Sequence, residues 1–184
     1  MLLFTMAMLL MGYVFGCMNG AYYTGKLTAG IDVREYGSTN AGARNAGRVL
    51  GRRAFLYTTA ADAIKTILPL LIVRHWSEGS LELAGGTAFA VLLGHLWPVQ
   101  LQFRGGKGVV VYLASALVLA PFTLLFAAAG MAIGLVLKRR FTIAGFLGMI
   151  LMPGALLFVS EPFLAGMFFI MLLIVAAMHR WDLN

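Results

Sequence analysis

Seven apolar runs punctuate the chain, at about residues 2–22, 54–73, 83–101, 109–120, 122–137, 141–159 and 162–178. Most approach the ~20 residues that a helix needs to cross about 30 Å of hydrocarbon. Two fall short. Residues 109–120 rise only about 18 Å at 1.5 Å per residue. The run 122–137 is also brief, and Pro121 separates the two. They predict either two short helices or a re-entrant hairpin, and both alternatives return the chain to the same side. The pattern as a whole predicts an all-α integral membrane protein, one domain over residues 1–184, with about seven transmembrane helices.

Composition narrows the class. The chain is 61% hydrophobic and 11% charged, whereas a soluble domain averages roughly 45–50% apolar and about 25% charged. A water-soluble globule, a disordered chain and a disulfide-stapled module are excluded. The single cysteine, Cys17, excludes an internal disulfide and a cysteine metal cluster. Val14-Phe15-Gly16-Cys17 faintly resembles a lipoprotein cleavage box, but no Lys or Arg precedes it. Residues 1–22 are therefore read as a retained span.

Fourteen Lys and Arg against 7 Asp and Glu leave a net charge of +7. In a membrane protein such an excess orients the chain rather than binding nucleic acid. With the N-terminus outside, the inner segments are 26–53, 102–108, 138–140 and 179–184. They hold Lys26, Arg34, Arg44, Arg48, Arg52, Arg53, Arg104, Lys107, Lys138, Arg139, Arg140 and Arg180, which is 12 of the 14 cations. Lys65 lies within a span and Arg74 lies outside. The outer connectors are short and carry Glu78, Glu82 and Glu161. The expected topology is N-terminus out, C-terminus cytoplasmic.

Candidate chemistry concentrates on the inner side. The first inner loop reads Glu35-Tyr-Gly-Ser-Thr-Asn-Ala-Gly-Ala-Arg-Asn-Ala-Gly-Arg48. Ser38, Thr39, Asn40 and Asn45 supply neutral hydrogen bonds, Gly42 permits close approach, and Arg44 and Arg48 are forked cations suited to phosphate. A helix starting near Asn40 would add its free amides to an anion site. A solvated basic loop held by inner-leaflet lipids is the plain alternative. The second cluster is Arg104-Gly105-Gly106-Lys107-Gly108, either a phosphate-cradling loop or a basic turn. It is not a Walker A loop, since Lys107 is followed by Gly108.

Asp62 and Lys65, three residues apart on one helical face, are expected to pair with each other or with loop residues in a structural role, because an unpaired charge at bilayer depth costs about 3 kcal/mol. His95 is also expected to be structural, and Trp97 an interfacial anchor. His179-Arg180 closes the last span; the histidine could bind or shuttle protons there. No His-x4-Asp pair occurs, which excludes the acyltransferases built on that motif, and neither a Gly-x-Ser-x-Gly elbow nor a Cys/His/carboxylate set with metal-ligand spacing is present.

Two stretches resemble a known family. Ile31-Asp-Val-Arg-Glu-Tyr-Gly-Ser-Thr-Asn-Ala-Gly-Ala-Arg-Asn45 followed by Arg48 resembles the "DIRE-GSGN-GATN--R" signature of the membrane acyl-phosphate:glycerol-3-phosphate acyltransferases of bacterial phospholipid synthesis, the PlsY family. Gly94-His-Leu-Trp-Pro-Val99 with Phe103-Arg-Gly-Gly-Lys-Gly-Val109 resembles its "GHNWPVF--FKGGKGVAT" signature. Asp62 and Lys65 match its "D--KG" element, and His179-Arg180 the start of its terminal "HRENI" element.

The resemblance implies acyl transfer from acyl phosphate to glycerol 3-phosphate in the bacterial inner membrane, at the cytoplasmic face, without a cofactor or an obligate protein partner. It implies Ser38, Arg48, Lys107 and His179 as catalytic residues. Asn40, Gly42, Asn45, Arg104, Gly105, Gly106 and Gly108 would bind substrate. Departures are Arg44 where the family has Thr, and Trp181-Asp182 after His179-Arg180. An Arg44–Asp182 pair would compensate the added charges. The alternative function is a small carrier or flippase for a phosphorylated solute or lipid, which needs access from both faces.

Overall fold

A computed structural model of the protein describes residues 1–179. Among them the chain forms nine α-helices and no strand. They are α1 (Leu2–Cys17), α2 (Gly20–Ala29), α3 (Ala43–Leu50), α4 (Arg52–Trp76), α5 (Leu81–Leu96), α6 (Val109–Leu119), α7 (Thr123–Val136), α8 (Phe141–Phe158) and α9 (Pro162–Ala177). Every apolar run carries a helix. Leu2–Ala29, Arg52–Trp76 and Phe141–Phe158 are long and apolar enough to cross a membrane, and α6, α7 and α9 are shorter apolar helices.

The exterior identifies the solvent. Leu10, Val14, Ile64, Leu68, Leu125, Phe158 and Ile170 are exposed. Inside lie Asn19, Thr58, Asp62, Lys65, Thr66, His95 and Ser115, all buried. An apolar outside with polar groups inward is what a hydrocarbon solvent demands. The central core joins Leu70 of α4, Val91, Leu92 and Leu96 of α5, Tyr112 of α6, Leu156 of α8, and Phe168 and Met171 of α9.

Three details depart from the hydrophobic pattern, and a fourth decides between its two alternatives for residues 109–137. The first run is two helices: Asn19 caps α2 by accepting from the Tyr22 amide at 2.8 Å, which breaks the span at Met18. Helix α5 stops at Leu96 because the residue before Pro98 is driven out of the helical region. The inner loop contains α3, which begins at Ala43 rather than Asn40. Residues 109–137 form two helices with different partners: α6 packs on α4 and α5, whereas α7 lies along α8. A re-entrant hairpin would have paired them with each other.

Two close seams hold the bundle. On α1, Gly12 and Gly16 face Thr87, Ala90, Val91 and Gly94 of α5. A β-carbon at Gly94 would overlap the Tyr13 carbonyl oxygen. On α7, Gly130 and Gly134 meet Ala144 and Gly148 of α8, and a β-carbon at Gly148 would strike the Ala127 backbone. Small residues four apart let helix backbones touch, and in lipid that packing replaces the hydrophobic drive.

Gly94→Leu and Gly148→Leu should therefore each cost more than the roughly 1–3 kcal/mol of ordinary overpacking. Both should lower the thermal unfolding midpoint in detergent by many degrees. Gly154→Leu, at an exposed position on α8 with nothing within 4 Å of an added β-carbon, should unfold like the parent.

Candidate active site

The site is built over the break between α1 and α2. A broken span leaves backbone groups that need partners. Side chains from elsewhere close each one. Lys65 Nζ donates to the Gly16 carbonyl at 3.0 Å, and Gln100 Nε2 to the Cys17 carbonyl at 2.5 Å. The Gly20 amide donates to Asp62 Oδ1 at 3.1 Å. Asn19 Nδ2 donates to the Ala41 carbonyl at 3.0 Å, tying the break to the inner loop. Asp62 and Lys65 form the expected ion pair, at 2.9 Å. Lys65 Nζ also lies 2.9 Å from His95 Nδ1. An ammonium only donates, so Nδ1 accepts and the neutral ring carries its proton on Nε2.

The two inner loops are clamped together by residues to which the sequence reading gave no role. Asp32 pairs with Arg34 at 2.7 Å, and Arg34 reaches across to the Leu101 carbonyl at 2.8 Å. The Arg34 hydrogen bond holds the Asp32 carboxyl below its ordinary value, against the opposing effect of burial. Asp32 raises Arg34 in turn. A depressed carboxylate contributes above its ordinary pKa of about 3.9 and loses that contribution only as pH falls through the lower folded value. The clamp is thus intact at neutral pH.

Asn45, expected to bind substrate, has its amide fully engaged. Its Oδ1 accepts from the Ser38 amide at 2.8 Å, and its Nδ2 donates to the Val33 and Tyr36 carbonyls at 2.8 and 3.0 Å. Its side chain shapes the 33–38 loop and presents Ser38. Gly37 turns there with φ +62°, where a β-carbon would strike Asn45 Oδ1.

The glycines of the second loop divide in the same way. The Gly105 amide donates to the Leu96 carbonyl at 3.0 Å and the Gly106 amide to the His95 carbonyl at 3.1 Å. A β-carbon at Gly106 would sit in the His95 ring. These two amides dock the loop on the end of α5 and are not available to a phosphate. Gly108 starts α6 at φ +84°, with Leu92 and Val175 where a side chain would go. Arg104 is exposed, 3.9 Å from Glu35.

Above this scaffold lies a cavity of about 520 Å³. Ser38, Asn40, Gly42, Ala43, Arg44, Asn45 and Arg48 come from the first loop and α3, Lys107 and Gly108 from the second loop, and His179 from the end of α9. Asp62 and His95 also border it. Its lining also includes the apolar residues Phe55, Val109, Val110, Phe141, Phe146 and Met149. Predicted residues from three distant stretches thus meet at one cavity, while Arg104, Gly105 and Gly106 do not line it. His179 Nδ1 bonds the Val175 carbonyl at 2.8 Å, which places a proton on Nδ1. Phe146 packs edge-on to it at 5.1 Å.

Arg44 points to α8, donating to Thr142 Oγ1 at 3.0 Å with its guanidinium 5.9 Å from the Phe141 ring. Arg180, Trp181 and Asp182 lie outside the described residues. The α8 wall also escaped the sequence reading. Its signal was a stripe at helical spacing: Phe141, Thr142, Gly145, Phe146 and Met149.

A family model described as glycerol-3-phosphate acyltransferase matches residues 6–184. The chain is 38% identical over 179 residues to glycerol-3-phosphate acyltransferase 1 of Desulfitobacterium hafniense, covering 96% of this chain and 88% of that one. It is 37% identical over 181 residues to the glycerol-3-phosphate acyltransferase of Mesorhizobium japonicum, covering 96% and 91%. Crystal structures of PlsY, an integral membrane glycerol 3-phosphate acyltransferase, superpose with TM-scores of 0.87 for its glycerol 3-phosphate form and 0.85 for its lysophosphatidic acid form. Identity is 27% and 28%, and both cover 98% of this chain and 90% of that one.

Removing one member of a buried ion pair strands the other and costs about 3–5 kcal/mol. Asp62→Asn and Lys65→Met should each destabilise the purified protein by that order. The double variant should lose less than the two single losses combined, read by thermal unfolding of all four forms; strict additivity would contradict the pairing.

Proposed function

The chain belongs to the glycerol-3-phosphate acyltransferase family, and we propose that it acylates glycerol 3-phosphate with acyl phosphate as the donor. The products are lysophosphatidate and inorganic phosphate, made at the cytoplasmic face of a bacterial inner membrane. The observation that carries this reading is the mixed lining of one cavity: a polar set, Ser38, Asn40, Arg48, Lys107 and His179, and an aromatic and aliphatic set, Phe55, Val109, Val110, Phe141, Phe146 and Met149. Two phosphorylated head groups suit the first, and a fatty chain suits the second.

Acyl phosphate is already activated, so the protein has to position and neutralise. Arg48 and Lys107 balance phosphate charge. Ser38, its backbone held by Asn45, and Asn40 donate hydrogen bonds around the acyl phosphate. Gly42 and Gly108 keep backbone close to the head groups. The primary hydroxyl of glycerol 3-phosphate attacks the acyl carbonyl carbon. The new ester bond forms, the acyl–phosphate C–O bond breaks, and phosphate leaves with the electron pair. The hydroxyl proton passes to the departing phosphate or to His179 Nε2. The relatives described above carry acyltransferase names, and no observation favours a carrier.

The test is purified protein in detergent with acyl phosphate and glycerol 3-phosphate, following phosphate release and lysophosphatidate. Arg48→Ala and Lys107→Ala should each lower kcat/KM by about 100-fold or more, the scale of losing one donor to a developing charge. A parent that releases no phosphate, or a Lys107→Ala variant that matches it, overturns the reading.

A further inference from the structure

We infer that Gly145 sets the length of acyl chain the cavity accepts; the inference rests on the acyl-transfer reading above. Helix α8 presents one face to the cavity, and that face is bulky at Phe141, Phe146 and Met149. Gly145 lies between Phe141 and Met149, one helical turn from each, so it notches an otherwise filled stripe. A β-carbon there would meet nothing within 4 Å.

Its neighbours show why the notch is distinctive. Gly148 and Ala144 are pressed against α7, where a larger side chain has no room. Gly154 and Gly166 also have open space, but neither lines the cavity. Gly145 combines a cavity-lining position with room for a side chain. The notch lines the same cavity as Lys107 and Arg48. A chain anchored by its phosphate at those cations runs toward α8. The absent side chain leaves open space at the cavity surface that a polymethylene tail can occupy. A leucine or tryptophan there would stop the tail short.

The experiment compares octanoyl phosphate with hexadecanoyl phosphate as donors for the parent, Gly145→Leu, Gly145→Trp and Gly154→Leu. The ratio of kcat/KM for the long over the short donor should fall at least tenfold in Gly145→Leu and further in Gly145→Trp. It should keep the parental value in Gly154→Leu. An unchanged ratio in both Gly145 variants, or an equal fall in Gly154→Leu, overturns the inference while leaving the function standing. A parent inactive on both donors overturns the function instead. In that event, thermal stabilisation by lysophosphatidates of the same two chain lengths reads the cavity without turnover. The parental advantage of the longer chain should disappear in Gly145→Leu, and its persistence overturns the inference.

Discussion

A helix interrupted within a packed bundle has carbonyls and amides that need partners, and this chain interrupts its first span at Met18. The rest of the architecture depends on closing that break. Lys65 takes the Gly16 carbonyl, Gln100 the Cys17 carbonyl, and Asp62 the Gly20 amide. Two opposite charges are thereby admitted to the interior, each satisfied by its partner and by a backbone group. The same links bind α1 and α2 to α4 and to the segment after α5. They also bring His95, and hence the loop docked on it, to a fixed place. The buried ion pair is thus a joint between segments, in keeping with the use of buried polar groups to specify one arrangement.

From that joint the cavity is assembled by backbone docking. Gly105 and Gly106 have no side chains because their amides lie against the carbonyls at the end of α5. Lys107, the next residue, is thereby delivered to the cavity. On the opposite rim Asn45 holds three backbone groups of the 33–38 loop and so delivers Ser38. Arg34 spans the two loops and keeps the rims in register. Residue types that look like ligand-binding groups are here divided between two jobs. Some face the cavity, and others make the turn that lets their neighbour face it.

The apolar wall extends the same division of labour into the membrane. Helix α8 uses Ala144 and Gly148 to approach α7, and Phe141, Phe146 and Met149 to enclose the cavity. One helix therefore serves a packing seam and a cavity-facing surface on adjacent stripes.

The apolar runs alone determined the all-helical membrane class, since hydrocarbon tolerates long apolar stretches only as helices or closed barrels, and runs near twenty residues match the former. The inner-side clusters of Gly, Ser, Asn, Arg and Lys also marked where chemistry gathers, because such residues are costly in lipid without a use. The i,i+3 spacing of Asp62 and Lys65 was enough to mark them as a candidate pair. What only the tertiary structure decided was which of these polar groups the chain's own backbone engages. Asn45 and Ser38, or Gly106 and Lys107, carry similar local signals, and their roles separate only when distant backbone groups arrive as partners. The break at Asn19 was hidden for the same reason. Its cost is met by Asp62, Lys65 and Gln100, residues 42 or more positions away along the chain, and no local pattern reports a partner that folding alone supplies.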